Sequence, residues 1–347
     1  MKDVQCSMFN VQCSMFGHQA GAKIRLLIDN SSNDLEPVNG EDALTLLKEA
    51  GIPIIDDTAD QTSGSGLMHH KFIVIDHQTV ITGSANMTPS GLHGDDDKPL
   101  SRGNTNHLLQ IENAELAQVF TEEFDLMWGE NGDSLFGVNK PIREPKTFTV
   151  GEGTVTVIFS PVSTSIDFEN TTNGLIANSL KQAQKKIDLA LFVFSEQKIA
   201  DVIEQRHNDG VEIRALIEPG FAYRDFSEGL DLLGLEKLNR FCKYEDNNNP
   251  WENPITMMGV PNLQNGDILH HKYGVIDEQI VITGSHNWSA SANHQNDEAL
   301  LVIDNPIVAA HFTKEFNRLA QNARFGVPEW VKRKIEESFT QCELPNN

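Results

Sequence analysis

The sequence predicts an α/β fold made of two similar halves, each a mixed sheet covered by helices. Three observations carry that expectation. The segments MHHKFIVIDHQTVITGSAN (Met68–Asn86) and LHHKYGVIDEQIVITGSHN (Leu269–Asn287) align at a shift of 201 residues. Two further blocks align in the same order: Asn113–Met127 with Asn305–Leu319 at a shift of 192, and His18–Asp29 with His207–Glu218 at 189. Short β-rich runs also alternate with segments of helical spacing, the pattern of a sheet with helices on its faces. A duplicated chain accounts for all three blocks, and the changing shift places insertions between them.

In chain order, the first half offers the strand KIRLLID, the helix GEDALTLLKEAG, the strands KFIVID, TVITG and LLQIE, and the helix AELAQVFTEEFDLMWG. The second half opens with the strand TVTVIFS and the helix Asn173–Ile187. The strand Asp188–Phe194 and the helix Glu196–Gly210 follow. The boundary falls in the Pro/Gly-containing stretch Pro141–Gly153, dividing the chain into domains 1–145 and 146–347. One asymmetry stands against the repeat. Only 17 residues precede His18, and they hold a tandem heptapeptide, VQCSMFN (Val4–Asn10) then VQCSMFG (Val11–Gly17). A metal-binding or membrane-docking tag is the lesser reading. The stronger one is that a repetitive stretch or a misplaced start stands where the opening strands and helices belong. The first domain is then incomplete, with an exposed sheet edge.

The composition is that of an ordinary globular protein, with 39% hydrophobic and 22% charged residues. No apolar run approaches the roughly 20 residues that span a bilayer, so no transmembrane anchor is expected. MKDVQCSMFN lacks the apolar core of a signal peptide, which leaves the compartment open. The net charge of -23 repels nucleic acid and anionic bilayers on average. Lys332-Arg333-Lys334 is the densest basic run, and its plain reading is a solvated helix face. No strong nucleic-acid-binding surface is expected, although a local cationic pocket can still hold a phosphodiester.

The four cysteines, Cys6, Cys13, Cys242 and Cys342, form no CxxC and no zinc spacing with histidine. Cys242 and Cys342 can pair in an oxidising compartment, or stay as two buried thiols. An EF-hand-like stretch at Asp29–Gly40 lacks the glycine and glutamate such a loop needs.

The repeated blocks also carry chemistry. In an extended HxK, residues i and i+2 share a face, so His69 projects with Lys71, and His270 with Lys272. His70 and His271 face away. An adjacent ammonium disfavours the imidazolium and keeps the histidine free to attack, and it neutralises a phosphoryl oxygen. Ser84, Asn86, Ser285 and Asn287, in the two GSxN runs, are placed to donate hydrogen bonds to those oxygens. A lone HxK is more often a surface strand. Two copies of HxK(x)4D(x)6GSxN are a specific signal.

With that pattern the chain resembles the phospholipase D superfamily, whose HKD motif it carries twice, over His18–Met127 and about Thr154–Leu319. The resemblance implies two α/β/α halves related by a pseudo-two-fold axis, with one site at their interface. It implies a phosphodiester substrate, phospholipid or nucleic acid, and a monomer acting as an internal dimer. One histidine would attack phosphorus to give a phosphohistidine; the other would protonate the leaving oxygen and then activate water, with no metal or cofactor. Residue by residue, the site resembles His69, Lys71 and Asn86 with His270, Lys272 and Asn287. Asp76 and Asp277 match the aspartate of the motif and read as structural. Glu298 and Asn106 match positions that orient the histidine of the opposite half, which would set Glu298 on His69 and Asn106 on His270. The competing function is a noncatalytic scaffold retaining the fold, which two intact histidine–lysine pairs argue against.

Overall fold

In the computed structural model, residues 3–6, 17–30, 42–62, 66–95, 98–130 and 132–343 are described. Most of the EF-hand-like stretch and most of the tandem heptapeptide lie outside them. The first half holds β1 (Asp3–Cys6), β2 (Lys23–Ile28), α1 (Ala43–Glu49), β3 (Ile54–Asp56), β4 (Leu67–Met68), β5 (Phe72–Ile75), β6 (Thr79–Gly83), α2 (Pro89–Leu92), β7 (Leu108–Glu112) and α3 (Ala114–Trp128). The second begins with β8 (Lys146–Val150), β9 (Gly153–Ser160), α4 (Thr172–Leu180), β10 (Lys186–Leu191), β11 (Phe194–Ser195), α5 (Gln197–Asn208), β12 (Glu212–Ile217) and α6 (Glu228–Leu232). It continues with β13 (Met258–Val260), β14 (Lys272–Ile276), β15 (Ile280–Gly284), β16 (Trp288–Ser289), α7 (Ala290–His294), β17 (Asn296–Asp304), α8 (Pro306–Ala320), β18 (Arg324–Phe325) and α9 (Glu329–Glu343).

The duplication is visible in the strand order. The first sheet runs β3-β2-β1-β5-β6-β7, and the second contains the matching series β13-β12-β10-β14-β15-β17, extended by β18 at one end and β9-β8 at the other. Pairing sense matches too. β1 is parallel to β2 and antiparallel to β5, as β10 is to β12 and β14. The expectation of a missing early strand therefore needs correction. Asp3–Cys6, which overlaps the start of the first heptapeptide, fills the slot beside β5, because an extended backbone of four residues suffices to satisfy both neighbours. Among the described residues, the first half has no counterpart of β8, β9 or α4.

Strand alternation sorts side chains between layers. On β2, Ile24, Leu26 and Ile28 join the outer cluster with Ala43 and Leu47 of α1, while Leu27 turns inward. On β12, Ile213, Ala215 and Ile217 face the outer core with α4 and α5, while Leu216 turns inward. The inward residues meet one apolar cluster that crosses both halves. Phe120 and Phe124 of α3 and Phe312 and Phe316 of α8 lie in it, with strand residues of both sheets. These two helices start alike. Asn113 caps α3 by accepting from the Leu116 amide (2.8 Å), and Asn305 caps α8 by accepting from Ile307 (2.9 Å).

The helix expected over Asn173–Ile187 stops at Leu180, and the strand expected from Asp188 starts at Lys186. The Asp277 carboxylate explains both shifts. It accepts from the amides of Gln184, Lys185 and Lys186, each at 2.8 Å, and so fixes the turn that the helical pattern had run through. Cys242 and Cys342 are bridged, with an S–S distance of 2.07 Å, tying α9 to the loop after α6. Among the described residues, no helix is long and apolar enough to cross a membrane.

Candidate active site

Reciprocal strand contacts between the halves assemble the site. β4, just ahead of His69, pairs with the start of β17, and the His69 amide donates to the Asp297 carbonyl at 3.0 Å. In the other direction Leu269 bridges to Thr105, and the His270 amide donates to the Thr105 carbonyl at 3.1 Å. Each histidine is thus held beside the residue that follows its pairing partner, Glu298 or Asn106. Regular strand begins only at Phe72 and at Lys272, so both histidines lie just ahead of their strands.

His69 Nδ1 lies 2.7 Å from Glu298 Oε2, and His270 Nδ1 lies 2.9 Å from Asn106 Oδ1. The Asn106 amide is oriented by its own contacts. Its Nδ2 donates to the Gly91 carbonyl (3.0 Å), so Oδ1 is the atom facing His270, and it also accepts from Ser84 Oγ (2.9 Å). An amide oxygen only accepts, so His270 carries its proton on Nδ1 and leaves Nε2 with a lone pair. Glu298 imposes the same tautomer on His69 when ionised. Burial pushes the Glu298 carboxyl up, but His286 and Lys71 act against that rise. Glu298 is enclosed, whereas His69 keeps 15% of its side chain open, so the accessible part of the pair is the imidazole.

Lys71 Nζ donates to the His69 carbonyl (2.9 Å) and Lys272 Nζ to the His270 carbonyl (3.0 Å). Each ammonium has three donors, so each retains capacity for a ligand. Burial, then Lys71 and Lys272, hold His69 well below the usual imidazole range. Burial, then Lys272, Lys71 and His69, do the same to His270. Burial brings Lys71 down to about 8, and burial with the Lys71 charge holds Lys272 well below the usual lysine range. Lys71 and Lys272 lower both histidines and Lys71 lowers Lys272, so a bound anion would relieve the repulsion within the group.

The serines of the two GSxN runs are placed otherwise than expected. Ser84 and Ser285 are fully buried. Ser84 donates to Asn106, Ser285 hydrogen-bonds Glu298, and each hydroxyl accepts the amide of the next strand, from His107 (3.2 Å) or Ala299 (3.0 Å). They brace the orienting residues and do not face a phosphoryl group. The preceding glycine makes this possible: a Cβ at Gly284, whose φ is +138°, would stand 2.2 Å from the Ala299 carbonyl oxygen. Among the described residues, the Oδ1 atoms of Asn86 and Asn287 are buried without a hydrogen-bond partner. Asp76 and Asp277 each have a φ of 52° and open the left-handed turns between β5 and β6 and between β14 and β15.

Two residues escaped the sequence reading. Asp29 accepts the Met68 amide (2.8 Å) and Glu218 the Leu269 amide (2.6 Å), so each carboxylate steadies the backbone one residue before a histidine. The signal was present, since these acids end the third aligned block. His70, turned away from the cleft, meets Glu123 at 3.0 Å. The donors of His70, Glu123 and Asp297 are close enough to hold a cation, and Lys140 provides one, with Nζ 2.5 Å from each carboxylate.

The chain matches the family model described as "Cardiolipin synthase, PLD-like domain" over residues 17–128 and 176–320. A mitochondrial cardiolipin hydrolase from Xenopus laevis is 25% identical over 185 residues, covering 52% of this chain and 77% of that protein. A phospholipase D from Rickettsia conorii is 27% identical over 164 residues, covering 47% and 72%. The crystal structure of phosphatidylserine synthase from Haemophilus influenzae shares the fold, with a TM-score of 0.59 at 14% identity over 98% of this chain and 88% of that one.

Proposed function

Since the chain belongs to the phospholipase D-like domain family of the cardiolipin synthase type, we propose that it hydrolyses phosphodiesters without a metal, through a phosphohistidine on His69. The observation that carries this reading is the pair of imidazoles anchored through Nδ1, one on a carboxylate and one on an amide. Nε2 of His69 attacks phosphorus and the bond to the leaving oxygen breaks. His270, protonated on Nε2 as the substrate anion arrives, delivers that proton to the leaving oxygen. It then takes a proton from water, whose oxygen displaces His69 from phosphorus. Lys71, Lys272, Asn86 and Asn287 would neutralise and orient the non-bridging oxygens, and Glu298 would balance the charge that develops on His69.

Both histidines come from one chain, so a single copy, with halves 1–145 and 146–347, carries a complete site. The names of the relatives favour a phospholipid over a nucleic acid. The test is hydrolysis of bis(p-nitrophenyl) phosphate, phosphatidylcholine, single-stranded DNA and plasmid in excess EDTA. Activity on at least one is expected. Complete loss on chelation, restored by Mg²⁺ or Zn²⁺, overturns the mechanism.

A further inference from the structure

We infer that Glu228, Asp231 and Glu245 form a calcium site that fastens the loop after α6, a role separate from the phosphodiesterase reading. One carboxylate oxygen of each lies within 4.8 Å of both others. A Ca²⁺ ion holds its oxygens at roughly 2.4 Å, so two ligand atoms on one ion stand at most about 4.8 Å apart. Glu228 and Asp231 are almost wholly enclosed, and Glu245 is partly buried.

Oxygens left over within this group point to a ligand. Glu228 Oε2 and Asp231 Oδ1 are buried and, among the described residues, have no hydrogen-bond partner. The other oxygen of Asp231 is occupied: Oδ2 accepts from Gln197 Nε2 (2.9 Å) and from the Asn249 amide (3.3 Å). Gln197 Nε2 also donates to Asp201 Oδ1 (3.1 Å), which sets its nitrogen toward the carboxylates. Its Oε1 is then a third buried oxygen without a partner, on a side chain only 9% exposed. Three such oxygens need a donor or a cation.

A proton shared between Glu228 and Asp231 is the rival way to fill the gap. It leaves the Gln197 oxygen and the Glu245 charge unanswered. The charges acting on Glu228 are all negative, from Glu245, Asp231, Asp201 and Glu196, so a single proton neutralises too little. A divalent ion counters two charges and can take an amide oxygen as well. The donors are all hard oxygens, with no imidazole or thiol among them, which selects Ca²⁺ over Zn²⁺. Mg²⁺ gives up its waters reluctantly, and an enclosed group of side-chain oxygens would displace them.

The placement gives such an ion a task. Gln197 opens α5, Glu228 and Asp231 lie on α6, and Glu245 belongs to the loop that follows. Asn249 of that loop already reaches Asp231 and Asp201. The Cys242–Cys342 bridge, just ahead of Glu245, ties the loop to α9, and the ion would tie its other flank to α5 and α6. The group shares no residue with the paired histidines.

Calcium titration of the EDTA-stripped full chain by calorimetry tests the site without requiring turnover. About 0.15 M KCl in the buffer screens the diffuse attraction of a net charge of -23. One Ca²⁺ per chain is expected, with protons released on binding. About 1 mM Ca²⁺ should raise the melting temperature by several degrees, and the same concentration of Mg²⁺ by far less. Glu228→Gln should melt above wild type in EDTA, where the cluster must otherwise hold a proton, yet gain nothing from Ca²⁺. Glu245→Gln, at a partly exposed position, should fold as wild type and bind Ca²⁺ at least roughly tenfold more weakly. A wild type whose melting temperature ignores Ca²⁺ overturns the site and leaves the shared proton in its place. Calcium binding unchanged in both variants also overturns it, since the ion would then sit elsewhere on an acidic surface. An equal response to Mg²⁺ overturns the assignment to calcium.

Discussion

The imidazole of His69 lies 2.7 Å from the carboxylate of Glu298, and the two side chains come from opposite halves of the chain. Their pseudo-symmetric counterparts, His270 and Asn106, are joined at 2.9 Å by an amide instead. That single difference in charge breaks the symmetry of the site. A nucleophile that becomes cationic on phosphorylation is stabilised by a carboxylate, whereas an acid need only be aimed.

Replacing Glu298 by Gln should therefore cost more than a charge. The amide can present its NH₂ to Nδ1 and move the histidine proton to Nε2, removing the attacking lone pair. A fall in kcat of roughly 10²-fold or more is expected, by analogy with amide replacement of a triad aspartate. Asn106→Asp should instead make His270 more basic and move the alkaline limb of the pH–rate profile upward. Equal pH profiles for Asn106→Asp and wild type would sink the assignment of His270 as the acid.

The pH dependence has a definite sign. His69 must be neutral and His270 protonated for the first step, and both are held well below the usual imidazole range, chiefly by burial. Above its depressed pKa, the protonated fraction of His270 falls tenfold per pH unit. For substrates with alkoxide leaving groups, kcat/KM should rise as pH is lowered from about 8 to about 6. A profile that is flat or rises toward alkaline pH over that range contradicts the assignment.

How much of this was legible in the sequence depends on whether a residue is repeated. His69, Lys71, His270 and Lys272 were conspicuous because each half repeats the same residues at the same spacing, and the family resemblance also pointed to Glu298 and Asn106. Asp29 and Glu218 stood in plain view as repeated acids, but that their carboxylates bind backbone amides is a tertiary fact. The serines illustrate the opposite limit. A hydroxyl beside a motif can turn toward substrate or toward the scaffold, and only the approach of β17 to Gly284 decides which. β1 could not be read because four residues, three of them from a tandem repeat, show no useful period, and its place is given by the gap between β2 and β5. The partners of Lys140, Glu123 and Asp297, were hidden in the same way, since buried ion pairs leave no spacing signature.

Glu228 offers a stability test away from the site. It is buried, among the described residues one of its carboxyl oxygens has no hydrogen-bond partner, and in the metal-free protein burial followed by the charges of Glu245 and Asp231 pushes its pKa up to about 10. With the folded value raised above the unfolded 4.5, the stability it contributes is complete below that lower value and is lost as pH rises toward the upper one. Glu228→Gln keeps the shape, stays neutral and gives Asp231 a donor. Its melting temperature at about pH 8 should exceed that of wild type by several degrees, with a smaller gain at about pH 5. Scanning calorimetry at both pH values decides it, and a loss at pH 8 or equal gains would refute the argument.

The two histidines can be told apart by trapping. With a p-nitrophenyl leaving group, departure needs little help from an acid, but breakdown of the phosphohistidine still needs an activated water. His270→Ala should therefore accumulate a covalent adduct on His69, labile in acid and stable in base, with a burst of p-nitrophenolate approaching one equivalent. His69→Ala should give neither turnover nor adduct, since its remaining imidazole is aimed by the neutral Asn106 and lacks a carboxylate to balance a phosphorylated ring. Peptide mapping by mass spectrometry locates the phosphate. Found on His270, it reverses the roles, and the 2.7 Å contact between His69 and Glu298 would then serve the acid, raising its basicity so that it holds a proton nearer neutral pH.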